Sequence, residues 1–128
     1  MNHVERAMEL RRTASPHYNC CQAVVIPFAE SLGLDREVIF RTAAQFGGGM
    51  RRASVCGAVI GGLMALGLLE AGDRTAVEFQ RRFREQAGAM DCADLLRAAK
   101  ERGEEKKPHC DRMVALAVGL VEALTAWA

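Results

Sequence analysis

Between Arg52 and Glu70 the chain carries no charged residue, and Val55 to Leu69 reads "VCGAVIGGLMALGLL". A stretch this apolar must be hidden from water, yet it falls short of the ~20 residues that a membrane-spanning helix needs. A buried central helix is the expectation. Gly57, Gly61, Gly62 and Gly67 interrupt it, and glycine weakens a helix interior unless packing calls for it. Gly57 and Gly61 lie one turn apart, a spacing of small residues that lets a neighbouring backbone come close. Such an approach would carry Cys56, at the head of the run, inward toward the ends of other helices.

The rest of the chain reads as helices with short interruptions. At 128 residues, half of them hydrophobic, it can bury one core, and a single domain over residues 1–128 is expected. A first helix should end around Ala14, ahead of Pro16. A second should run from about Asn19 to Leu32, with Gly33 as a left-handed C-terminal cap. Asp35 is read as the cap of "REVIFRTAAQF", which stops at the Gly47-Gly48-Gly49 loop. Ser54 is read as the cap of the glycine-bearing helix, ending near Gly72, and Asp73 as the cap of "RTAVEFQRRFREQ". Asp91 should cap a helix through Arg102, "GEEKK" reads as a polar loop, and Pro108 suits the first turn of the last helix. No stretch alternates as a strand would. The fold expected is an all-α bundle of six or seven helices.

Seventeen Lys and Arg against sixteen Asp and Glu leave a formal charge of +1 with no basic block, so no nucleic-acid partner is expected. "MNHVERAMELRR" is charged and amphipathic and lacks the apolar centre of a secretory signal. A cytoplasmic location and no membrane association are expected. Five cysteines in a reducing compartment point to metal binding or redox chemistry rather than to a disulfide framework.

Four of these thiols share a placement. Cys20 follows Asn19, Cys56 comes two residues after Ser54, Cys92 follows Asp91, and Cys110 comes two residues after Pro108, so all four are read into helix first turns. Free backbone N–H groups and the positive end of the helix dipole favour an anion there. The thiolate is the form that attacks disulfides, meets oxidants and binds metals. Cys56 is expected to be the most reactive, with a cap before it and "GGGM" folding over its end. Cys21 lacks a cap relation and is read as a core or spare thiol pointing away from Cys20. A free cysteine also serves as a small apolar filler. His109 beside Cys110 is read either as a substitute ligand or as an exposed side chain, and His3 and His17 have no motif context.

"NCCQAV", "FGGGM" and "VCGAVIGG", followed by Cys92 and Cys110, resemble the C_GCAxxG_C_C family of putative redox-active proteins, over about Asn19 to Cys110. The resemblance implies that Cys20, Cys56, Cys92 and Cys110 are the functional cysteines, with Cys21 where alanine is expected.

Three functions compete on these residues. One is an iron–sulfur or zinc centre held by Cys20, Cys56, Cys92 and Cys110, since soft thiolates favour both. Another is thiol–disulfide or peroxide chemistry by the same cysteines without a cofactor, acting with a redox partner. The last is a non-catalytic helical adaptor with core cysteines, forming a homodimer through the glycine face.

Overall fold

The computed structural model describes residues 2–126. The chain folds into seven α-helices: α1 (His3–Arg12), α2 (Cys20–Ser31), α3 (Arg36–Thr42), α4 (Gly57–Leu68), α5 (Asp73–Ala87), α6 (Cys92–Glu101) and α7 (Lys106–Leu124). A further helical segment, Gly49–Ala53, brings the count among the described residues to eight, slightly above the six or seven expected. That segment is a left-handed turn: Gly48, Gly49, Met50 and Arg51 all have φ between 57° and 63°. The all-α class holds, and the only extended pairing among the described residues is one isolated bridge between Val55 and Asp91. No helix of the described residues is long and apolar enough to cross a membrane.

One apolar cluster draws residues from all seven helices, with Phe28, Phe79 and Phe83 among its largest buried side chains. The most extensive helix contact joins α2 and α4. Glycine makes it possible, because a Cβ at Gly61 would stand 2.7 Å from the Cys21 carbonyl oxygen and 2.9 Å from the Val24 Cβ. Behind it, a Cβ at Gly62 would lie 2.2 Å from the Phe79 ring. Gly61 and Gly62 thus face α2 and α5 of the same chain.

Several helix starts differ from the sequence expectation: α5 is capped by Gly72 rather than Asp73, α7 begins at Lys106 inside the stretch read as a polar loop, and the starts of α4 and α6 are shaped by one pairing. Ser54 does not cap α4, because Ser54 and Val55 are held in extended pairing with the segment before α6: the Cys56 N–H donates to the Met90 carbonyl at 2.8 Å, and the Cys92 N–H donates to the Ser54 carbonyl at 2.6 Å. Cys56 itself becomes the N-cap. Asp91 occupies the N-cap of α6 without a side-chain capping bond. The central helix also ends early, at Leu68 rather than near Gly72, where the chain turns through Glu70 at φ 57°.

Candidate functional site: a four-thiol cavity

Cys20, Cys56, Cys92 and Cys110 line one cavity of about 500 Å³ at the end of the bundle where α2, α4, α6 and α7 begin. Each is brought there by a different local device. Cys20 is the first residue of α2, behind a complete capping box: the Gln22 N–H donates to Asn19 Oδ1 at 2.8 Å, and the Asn19 N–H donates to Gln22 Oε1 at 2.9 Å. The Asn19 amide also donates to the Ala43 and Ala44 carbonyls, which pins the end of α3 beside this helix start. Cys56 and Cys92 are tied to each other by the paired backbone just described. Gly49 lies against both segments, since a Cβ there would be 2.7 Å from the Cys92 Cβ and from the Ser54 N and O. Gly48 and Gly49 line the cavity as well, so the glycine loop does fold over the Cys56 end.

Cys110 departs from the expectation. Because α7 starts at Lys106, Cys110 lies in the second turn, past the free N–H groups. Three of the four thiols are therefore at helix starts, and the fourth is not. Cys21 faces away from the cavity, fully buried, with its thiol donating to Met64 Sδ at 3.5 Å. All five cysteines are free.

The acidities reverse the reading from helix position. Burial pushes the Cys56 thiol up to about 11, although the backbone N–H groups of Ala58 and Val59 pull the other way. Cys92 is likewise raised by burial, and Cys21 is pushed up to about 12 for the same reason. Removing a thiolate from water outweighs the local dipole at these places. The acidic thiol is Cys110, lowered to about 7. The hydrogen bond it receives from Cys20 is the main cause; burial opposes it, and the nearby charges of Arg11 and Lys106 add to it. Cys20 is raised in turn, chiefly because it donates that bond. The two behave as one acid, with a proton held on Cys20 and the charge on Cys110.

Arg11, which sequence reasoning missed, is set in place by its own bonds. Its Nε donates to Asp111 Oδ1 at 2.7 Å and its Nη1 to the Tyr18 carbonyl at 2.9 Å, and its side chain is only 8% exposed. It stands on α1, in a different helix from either thiol and far in sequence from Cys110, so no motif spacing marked it. His109 is not the exposed side chain of one sequence reading: it is buried, lines the cavity, and has an Nδ1 without a hydrogen bond, 3.6 Å from Glu104 Oε1. Burial lowers its pKa, which favours the neutral ring. Among the described residues, no group of three or more Cys, His, Asp or Glu side chains is arranged to hold a metal ion.

Nothing among the curated proteins and nothing among the solved structures matches this chain. A family model does, that of the C_GCAxxG_C_C putative redox-active protein, over residues 18–124. The pattern in its name puts a glycine before its second cysteine, whereas here Val55 precedes Cys56 and Gly57 follows it. The glycine after the thiol has its own necessity, because a Cβ at Gly57 would sit 2.9 Å from the Phe46 carbonyl oxygen and 3.2 Å from the Cys20 Cβ. With the match spanning most of the chain and all four thiols that line the cavity, the chain belongs to the C_GCAxxG_C_C family of putative redox-active proteins.

Proposed function

We propose that Cys110 and Cys20 form a dithiol–disulfide couple that reduces disulfides, with Cys110 as the attacking thiolate and Cys20 as the resolving thiol. The observation that carries this reading is that Cys20 and Cys110 line one cavity together with Arg11 and Lys106, whose positive charges favour a thiolate on Cys110. The Cys110 thiolate attacks one sulfur of a substrate disulfide; that S–S bond breaks, and the other sulfur leaves as a thiolate and takes up a proton. The charge that kept the proton on Cys20 is then gone. Cys20 ionises and attacks the Cys110 sulfur, which releases the first half of the substrate as a thiol and leaves a Cys20–Cys110 disulfide. The substrate gains two electrons and two protons: the pair supplies both electrons and the Cys20 proton, and solvent supplies the other proton. Exchange with a dithiol partner reverses the sequence and restores the protein. Cys56 and Cys92 line the same cavity as protonated thiols. The five free cysteines support placing this cycle in a reducing cytoplasm.

Cys20→Ser tests the assignment of roles. The variant should accumulate a mixed disulfide on Cys110 when given a small disulfide, seen by mass spectrometry as the added half-molecule. The unsubstituted chain should instead lose two hydrogens and hold Cys20 linked to Cys110. Release of the adduct from the variant at the unsubstituted rate, or an oxidised chain whose disulfide omits Cys110, would overturn the scheme.

A second reading, a zinc or iron–sulfur centre on Cys20, Cys56, Cys92 and Cys110, is favoured by the four sulfurs sharing one cavity. When bound, such a centre would supply Lewis acidity or one-electron transfer. The side chains would have to rearrange to reach it, since they are not set as ligands among the described residues. Anaerobic purification followed by elemental analysis decides between the two. The dithiol reading expects well under one zinc or iron per chain, and a stoichiometric metal would establish the second.

A further inference from the structure

The charge around the thiol cavity is one-sided. Arg11, Arg12, Lys106 and Lys107 line it, and no Asp or Glu does. An adjoining groove shares His17, Asn19 and Gly48 with the cavity and adds Arg51 and Arg52, again without a carboxylate. Asp111, outside both walls, pairs with Arg11 at 2.7 Å and with Lys107 at 3.2 Å. Arg12, Arg52 and Lys106 have no carboxylate partner among the described residues. The chain as a whole carries a formal charge of only +1, so this end of the bundle gathers positive charge that the rest of the molecule balances elsewhere. Its α5 face, by contrast, is laced with ion pairs such as Arg81 with Glu78 and Glu85. A cavity of about 500 Å³ suits a small molecule rather than a folded partner.

We infer that the substrate of the thiol site is a small disulfide bearing carboxylates or comparable anionic groups, drawn in and held by Arg12, Lys106 and the arginines of the adjoining groove. The inference rests on the dithiol reading above and adds the substrate class to it. Unpaired cations at the mouth of a low-dielectric cavity focus the field and raise the local concentration of anions. Arg11 and Lys107, already engaged by Asp111, contribute less to capture and more to holding the site's shape.

The test compares three small disulfides on the reduced protein at pH 7: the dianion dithiobis-nitrobenzoate, the neutral dithiodipyridine and the dication cystamine. Each rate is divided by that of free mercaptoethanol with the same disulfide, which cancels intrinsic reactivity. The expected order is dianion, then neutral, then dication, with the extremes at least about 10-fold apart at low salt and converging near ~1 M salt. Arg12→Ala combined with Lys106→Ala should narrow the ratio of dianion to neutral several-fold; using the ratio removes any common change in the Cys110 thiolate. Arg97→Ala, on the exposed face of α6, should leave that ratio where it was. A flat order of rates, or an equal narrowing by Arg97→Ala, would overturn the inference while leaving the dithiol reading intact. No reaction of Cys110 even with the neutral disulfide would instead remove the dithiol reading on which it rests.

Discussion

Alkylation of the reduced protein with iodoacetamide between pH 5 and 9 should single out Cys110, with a midpoint near 7. The sign follows from the charges at the site: the proton donated by Cys20 and the positive Arg11 and Lys106 all favour the thiolate of Cys110 over its thiol, so reactivity rises as pH climbs through this value. At pH 7 about half of Cys110 is ionised, against roughly one in 10⁴ of Cys56 with its thiol near 11. A thiolate of higher pKa is the stronger nucleophile, which recovers close to two of these orders of magnitude. The net advantage of Cys110 is therefore about 10²-fold at pH 7. Cys110→Ser should remove the fast reaction altogether, with labelling at pH 7 falling by about that factor. The same variant frees Cys20 from the bond that raises it, so whatever slow labelling remains should map to Cys20 by mass spectrometry. Uniform labelling of all five cysteines only above pH 8 would show that no thiol here is activated, and the core-filler role would then be the right one for all of them.

Gly61→Leu should be the most damaging substitution in the α2–α4 contact. Overpacking a core costs typically ~1–3 kcal/mol, and more where the surroundings cannot yield. At Gly61 the nearest neighbours are the carbonyl oxygen of Cys21 at 2.7 Å, the Val24 Cβ at 2.9 Å and the Cys21 Cα at 3.1 Å, two of the three being backbone of a well-formed helix. The cost should reach about 3 kcal/mol, and the melting temperature should fall by roughly 10 °C. Gly67, in the same helix, is the control: nothing lies within 4 Å of its Cβ position and it is exposed. There Gly67→Ala should stabilise by up to ~1 kcal/mol through helix propensity alone. Equal melting temperatures for Gly61→Leu and the unsubstituted chain would mean that α2 and α4 are not held as closely as described.

The helices were legible because their signals are local. Asn19 before Cys20, Asp35 before Arg36, and the positive-φ Gly33 each punctuate the chain within a few residues of the element they end or begin. That Cys20, Cys56, Cys92 and Cys110 line one cavity was legible too, since thiols at or near helix starts share a place when the helices start together. What escaped depends on contacts between distant segments. Ser54 has the chemistry of a cap, but its carbonyl is engaged by Cys92, thirty-eight positions on, and the cap passes to Cys56. The choice of acidic thiol escaped for a physical reason. Helix position describes the pull on a thiolate but not the water it loses, and at Cys56 that loss is the larger of the two. Cys110, one turn too deep to profit from free N–H groups, gains from Cys20, Arg11 and Lys106, whose approach only the folded chain defines.

The backbone pairing between Ser54–Cys56 and Met90–Cys92 governs where this chain can change length. These bonds clamp the starts of α4 and α6 in a fixed register, so an inserted or deleted residue within 49–56 or 88–92 would slide one thiol along the cavity wall relative to the other. Among the described residues, the opposite end of the bundle has no such backbone pairing. Leu69 lies there beside Phe28, Ser31 and Thr125, about 20 Å along α4 from Cys56. A turn such as 69–72 can lengthen without moving any sulfur, so natural variation in chain length among proteins built this way belongs at that end.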